Sequence, residues 1–419
     1  MDVSGKVRWL GVRLRVRTFT VDGRSTAMYA VSFINSFGNA LTFLALFIYV
    51  QRTFGTASVA GAFLVQSIPA VLLARRLPEL VPERLAREAY LVSQAALAIA
   101  SAAMAVSLPD LVGVYAFLVA TTVLRTFANP FFYAIARDVA PHEASESFFA
   151  RIAAAASVAL IVAPAIGGLI AATAGYRALL AIDAVTFVIA GALVACIRPQ
   201  VRHAGAADSK GWREIVLATR LPNPAKGNRQ LQWALLSWFL LAAAGAALNG
   251  VEFPVMVGAG LSDTSIGIVL AFWGLGSLIA FAAGGLARTM STVLAGCGLV
   301  LGGALWVTGD IVASCVGFLL AGFFYALVSG ALRSAIAVSI PSGTPSVSVW
   351  AYANQGVQLA NVLIYGLVAG VVALASLTGG KVVLAAAGAT LVLGLAARRV
   401  PADVSAAQGP APEPEAGRT

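Results

Sequence analysis

Four ionisable side chains stand alone in long apolar runs: Arg125 in "TVLRTFANPF", Asp183 in "LAIDAVTF", Glu252 in "LNGVEFPVMV" and Arg333 in "GALRSAIA". A charge in hydrocarbon is costly, so each is expected to face a cavity or a partner. A carboxylate in a partly dehydrated cavity can alternate between neutral and ionised forms as access changes, which is the chemistry of proton coupling. Glu252 is the first candidate for that role and Asp183 the second. The plainer reading of Glu252 is a carboxylate at the membrane interface, touching water or a loop. The plainer reading of Asp183 is structural, an acid near a helix N-terminus stabilised by the dipole. Arg125 and Arg333 suit an anionic group on a bound molecule, or a carboxylate across a cavity.

Uncharged polar residues extend the set. Asn35 and Asn39 are four apart, on one helical face. Gln66, Asn129 and Asn249 lie in further apolar runs. One stretch holds Asn354, Gln355, Gln358, Asn361 and Tyr365, of which 354, 358, 361 and 365 form a single helical stripe. In lipid such a stripe must face protein or water. Inter-helix hydrogen bonding is one reading. Cavity lining is preferred, because five polar side chains on one span exceed what one packing seam needs.

Other chemistries are excluded by inventory. The two histidines, His142 and His203, fall in polar segments, so no histidine relay is expected inside a span. Cys196, Cys297 and Cys315 fit no disulfide framework or zinc spacing. There is no GxxxxGK[ST] loop, no HExxH, and no Ser/His/Asp or Cys/His set. An enzyme is not expected, nor a cofactor or metal. Any uphill movement of a solute must draw on a gradient.

The elements that position these residues are spans. The chain of 419 residues is 59% hydrophobic and 11% charged, with a mean hydropathy of +0.87. Soluble domains carry about 25% charged residues, so the lipid bilayer is the expected solvent. A helix needs about 20 apolar residues to cross a hydrocarbon core of ~30 Å. Twelve stretches qualify: 28–50, 57–77, 89–107, 111–136, 151–173, 178–197, 230–257, 264–287, 291–307, 311–340, 349–375 and 381–397. The first is read as a span, not a cleaved signal peptide, since "YVQRTFG" follows it and no small-residue cleavage site does. Twelve spans put both termini on one side, and 23 of the 28 Lys and Arg residues fall on that side. By the positive-inside rule it is cytoplasmic, which accounts for the net charge of +10 without nucleic acid. In that orientation Arg125 is about 21 Å from the outer end of its helix, at ~1.5 Å per residue. Arg333 is deeper, and both carboxylates are outer.

The expected fold is an all-α membrane protein with twelve transmembrane helices in two pseudo-symmetric six-helix bundles. The domains are a basic cytoplasmic segment 1–27, a first bundle 28–197, a cytoplasmic linker 198–229, a second bundle 230–397 and a Pro/Ala-rich disordered tail 398–419. Halves of equal size suggest an internal repeat. The linker is a plain tether, or its "WREIVLATRL" piece is a short helix on the membrane surface. In "AAAASVALIVAPAIGGLI", Ala155, Ala159 and Ala163 recur every fourth residue, followed by Pro164, Gly167 and Gly168. Small residues allow close helix approach, so this edge is expected to contact the other half, with Pro164 bending the helix.

That run, with alanines for glycines ahead of P-x-x-G-G, resembles the antiporter motif of the major facilitator superfamily. "AIARDVAPHEA" and "GYRALLAIDAVTFVIAGAL" are similar to the inner loop and sixth helix of its drug-efflux branch, which includes macrolide-efflux and enterobactin-type exporters. "ELVPERLAR" resembles the superfamily's G-x-x-x-D-R-x-x-R loop, with Glu79 for the glycine, Glu83 for the aspartate, and Arg84 and Arg87 kept. The resemblance implies the major facilitator fold, an inner-face latch at Glu83, Arg84 and Arg87, and alternating access. It implies a proton antiporter in the plasma (inner) membrane, a monomer exporting a small amphipathic molecule such as a drug, siderophore or secreted metabolite. A proton-coupled importer or facilitator of a small polar nutrient is the alternative. A non-transporting sensor or assembly partner would not need paired intramembrane arginines.

Overall fold

The computed structural model describes residues 23–73, 76, 81, 85–107, 110–140, 145–197, 225–283, 292–306, 308–340 and 346–375. Among them are eleven helices and no strand. They are α1 (Gly23–Phe54), α2 (Thr56–Leu73), α3 (Ala86–Ser107), α4 (Leu111–Val139), α5 (Ser145–Ala174) and α6 (Tyr176–Cys196), then α7 (Arg229–Gly258), α8 (Asp263–Ala282), α9 (Thr292–Trp306), α10 (Ile311–Val338) and α11 (Ser346–Ala375). Nine are long and apolar enough to cross a membrane. Each of the first eleven expected spans has its helix, and several run past it, α1 by about a turn at each end. The span 381–397, the tail, the N-terminal segment to residue 22 and linker residues 198–224 lie outside the described residues.

The chain stops these helices with local chemistry. Asp110, Asn228, Ser262 and Asp310 cap α4, α7, α8 and α10, each side chain accepting from a backbone N–H in the first turn. Gly55, Gly175, Gly260 and Gly309 sit at φ 85, 79, 78 and 75°, a left-handed conformation that suits glycine. They close the α1–α2, α5–α6, α7–α8 and α9–α10 connections, which lie together at one end of the alternating helices, here termed the tight-turn end.

The packing repeats. In the first half α1 packs on α4 and α5, and α4 on α2 and α3; in the second, α7 packs on α10 and α11, and α10 on α8 and α9. The halves meet through α5 on α8 and through α2 on α11, an exchange-symmetric pair, with α1 and α2 also touching α7.

The α5–α8 seam is backbone against backbone. A Cβ on Gly168 would lie 3.0 Å from the Cα of Gly267 and 3.1 Å from that of Thr264. A Cβ on Gly274 would lie 2.8 Å from the carbonyl oxygen of Leu160. Pro164 brings no N–H to the helix, so it leaves that same carbonyl without its i+4 donor. The row that crosses between halves is therefore Leu160, Pro164 and Gly168. This corrects the expectation for the alanine edge. Ala159 and Ala163 are fully buried, but Gly167, next in their row, lies against Leu41 and Leu44 of α1. The edge faces its own half because it is turned about one residue, ~100°, from the crossing row.

The α2–α11 seam ends in aromatics. Phe47 stacks on Phe63 at 4.0 Å, Phe63 on Tyr365 at 4.8 Å, and Phe43 lies 5.3 Å from Phe253. These rings join α1, α2, α7 and α11 in the half of the bundle toward the tight-turn end.

A side chain at Gly274 has no room. Gly274→Val should cost about 1–3 kcal/mol, read as a lower melting temperature in detergent and a weaker cysteine cross-link between α5 and α8. An unchanged melting temperature and cross-link would show that the seam is not held by this approach.

Candidate functional site

Asp183 is fully buried two turns into α6. Its carboxylate accepts from Thr42 of α1, from Ser101 of α3 at 3.1 Å and from Thr186 at 3.3 Å. Gly38 of α1 lies against the same group, where any side chain would overlap Asp183 and Thr186. This joint ties three helices through one acid. The dipole reading is replaced, because that effect falls off within the first turn and Asp183 is beyond it.

Arg125 of α4 acts on Asp183 through charge, but its Nε and Nη2 are enclosed without a hydrogen-bond partner. Its Cζ lies 5.9 Å from the centre of the Phe187 ring. Asn35 donates to the Tyr90 hydroxyl at 2.6 Å, while its Oδ1, the Oδ1 of Asn39 and the Oε1 of Gln94 receive no donor. The first half thus encloses donors on α4 and acceptors on α1 and α3 that no described residue satisfies. Buried polar groups are normally hydrogen-bonded, so these are candidates for contact with a bound molecule.

Glu252 lies in the second half, nearly two turns before the end of α7. It is 6% exposed, which replaces the interface reading. Its Oε1 has no hydrogen-bond partner among the described residues. It lines a cavity of about 20 Å³ with Leu248 and Asn249 of α7, Trp273 of α8, Trp306 of α9 and Phe318 of α10. Asn249 also bonds the Tyr365 hydroxyl.

The other expected site residues divide. Arg333 is exposed, its Cζ 5.3 Å above the Trp238 ring. It reaches α7 as a cation–π pair and does not meet the Glu252 cavity. The polar residues of α11 are partly a seam: Gln355, beside the stripe, donates to Val71 O of α2 at 3.0 Å, and Tyr365 is buried against Phe63. Both are corrected from cavity lining, because α11 packs on α2 there. Asn361 donates to Gln358 at 3.3 Å, Asn354 and Asn129 are exposed, and Gln66 is half-buried. Arg87 donates to the last carbonyls of α6, Ala195 O and, at 3.5 Å, Val194 O, as cations do at helix C-termini. Glu79, Glu83 and Arg84 lie outside the described residues.

Sequence reasoning missed one cluster between the halves. Arg52, at the end of α1, pairs with Asp263 at 2.6 Å, and Tyr176 donates to the same carboxylate at 2.9 Å. Arg52 also donates to Leu261 O at 3.4 Å. The cluster ties the two halves together at the tight-turn end. Its one sequence signal is a lone cation and a lone acid in connections otherwise poor in charge. Trp306 and Gln94 were missed because apolar or isolated residues leave no pattern.

The family profile described as Major Facilitator Superfamily matches residues 28–365. No curated protein matches the chain. Among solved structures, the nucleoside transporter NupG is similar at 15% identity and a TM-score of 0.70, over 90% of this chain and 98% of that one. The POT family transporter PepTSo is similar at 11% identity and a TM-score of 0.68, over 90% and 97%. The fucose:proton symporter FucP of E. coli is similar at 15% and 0.57, over 90% and 98%. At these identities the likeness is one of fold.

Two measurements test the roles assigned by geometry. Asp183→Ala should lower stability by about 1–3 kcal/mol, since the Thr42 and Ser101 hydroxyls lose their acceptor while Thr186 keeps the backbone carbonyl of residue 183, and leave the pH profile of the surviving activity in place. A shifted profile at unchanged stability would make Asp183 a proton carrier. Arg52→Asp should raise labelling of single cysteines near the tight-turn end, and adding Asp263→Arg should reverse it. Failure of the swap to restore protection would remove the pair from closure.

Proposed function

The chain belongs to the Major Facilitator Superfamily and is a membrane transporter, and on that premise we propose that it exports a small amphipathic molecule in exchange for protons. The observation that carries this reading is Glu252, a carboxylate removed from water with an oxygen that no described residue satisfies. An unpaired anion in such a place is costly, and a proton removes the charge. Gaining and losing that proton as the halves rock supplies the coupling that alternating access needs.

Substrate contact falls to the first half. Arg125 offers donors to an anionic or carbonyl group, and Asn35 and Asn39 offer acceptors to a hydroxyl or amine. With the tight-turn end shut by Arg52, Asp263 and Tyr176, we read this conformation as the one open toward the opposite face. The Lys and Arg asymmetry supports a cytoplasmic location for that face and for both termini. The membrane is then the plasma membrane, and each chain works as a monomer. The export direction rests on the resemblance of the α5 run around Pro164, Gly167 and Gly168 to the antiporter motif.

Purified chain in vesicles, given an imposed pH gradient and a panel of drugs, siderophores and secreted metabolites, tests the reading. Glu252→Gln should abolish gradient-driven movement, at least tenfold, while binding of the transported compound stays measurable. Full gradient-driven movement by Glu252→Gln would remove that residue from coupling. Movement of solute and proton in the same direction would replace export with import.

A further inference from the structure

We infer that the cavity beside Glu252 is a single-water site, in which one water bridges the Glu252 carboxyl group and the Trp306 indole N–H. Its role in coupling rests on the proton reading of Glu252 above; its existence does not. Two buried atoms point to it. Glu252 Oε1 is an acceptor and Trp306 Nε1 a donor, and among the described residues neither has a hydrogen-bond partner. Both residues line the same cavity, whose volume of about 20 Å³ is room for about one water. A water there donates to Oε1 and accepts from Nε1–H. Asn249, on the same wall, supplies a third polar partner, within the usual two to four for a buried water.

The ring that holds the water is fixed. Trp306 is 3% exposed and meets Phe318 edge-on, with centroids 5.4 Å apart and planes at 87°. Its carbonyl accepts from Ser314 at 3.3 Å. Gly302 and Gly317 allow α9 to lie directly on α10, since a Cβ on Gly302 would be 2.8 Å from Gly317 O. The indole N–H therefore stays aimed by packing.

The lining also selects the ion. A hard cation wants several oxygen ligands. Among its lining side chains this cavity offers only the oxygens of Glu252 and Asn249, and the indole hydrogen presents positive charge. The side chains of Leu248, Trp273 and Phe318 contribute no oxygen. Sodium has too few ligands here, whereas a protonated water delivers its proton to the carboxylate and remains as water. The titratable groups nearby are Tyr365 of α11, bonded to Asn249 and acting on Glu252 by charge, and Tyr325 of α10, which acts on Tyr365. The described lining residues include no basic side chain.

The test uses the full chain in lipid nanodiscs with ¹⁵N-labelled tryptophan indoles. The Trp306 resonance is identified by its loss in Trp306→Phe. A cross-peak from that resonance to water, a shift of the resonance in Glu252→Gln, and no response when potassium chloride is replaced by sodium chloride are expected. Absence of the water cross-peak, from a dry cavity or a direct indole–carboxyl contact, overturns the site, and a sodium-dependent shift overturns the selectivity. A water cross-peak together with full proton coupling in Glu252→Gln supports the site and sinks the coupling role alone.

Discussion

A polar group inside a bilayer has no bulk water to fall back on, and this constraint governs the protein's interior. Asp183 and Glu252 show its two outcomes. Each half buries one acid in its own core. Asp183 is met by hydroxyls from three helices and becomes a joint. Glu252 is met on one oxygen by nothing described and stands at a cavity. Residue type alone does not separate a structural acid from a functional one; the count of donors around it does.

The same constraint shapes the seams between the halves. Lipid offers helices no hydrophobic reason to associate, so close packing has to supply it. The α5–α8 contact does so with glycine on both sides, and the carbonyl that Pro164 leaves free points at the glycine of its neighbour. The α2–α11 contact uses rings and one amide instead. Two symmetric positions in the repeat are thus filled by different chemistry, one smooth and one interlocked.

The spans and the repeat were legible because hydropathy over some 20 residues reports burial in lipid directly. The isolation of Arg125, Asp183 and Glu252 was legible for the same reason. What periodicity does not report is which neighbour a face meets. Ala159 and Ala163 lie in a row of small residues, as read, yet that row turns to α1, and the next one over crosses to α8. Tyr365 belongs to a polar stripe and Gln355 lies beside it, as read, yet α2 covers them. Arg52 and Asp263 are 211 residues apart, and only the closing of one end brings them together.

The ring cluster of Phe43, Phe47, Phe63, Phe253 and Tyr365 has an electrical consequence. A water-filled vestibule carries the potential of the solution it opens to, whereas a dry aromatic layer does not conduct. Were the opposite end open to solution, the membrane voltage would fall mainly across this thin layer rather than across the full thickness of the bilayer. A charge crossing it exchanges about 2.3 kcal/mol per 100 mV. In that arrangement the same rings would decide where the membrane potential does its work.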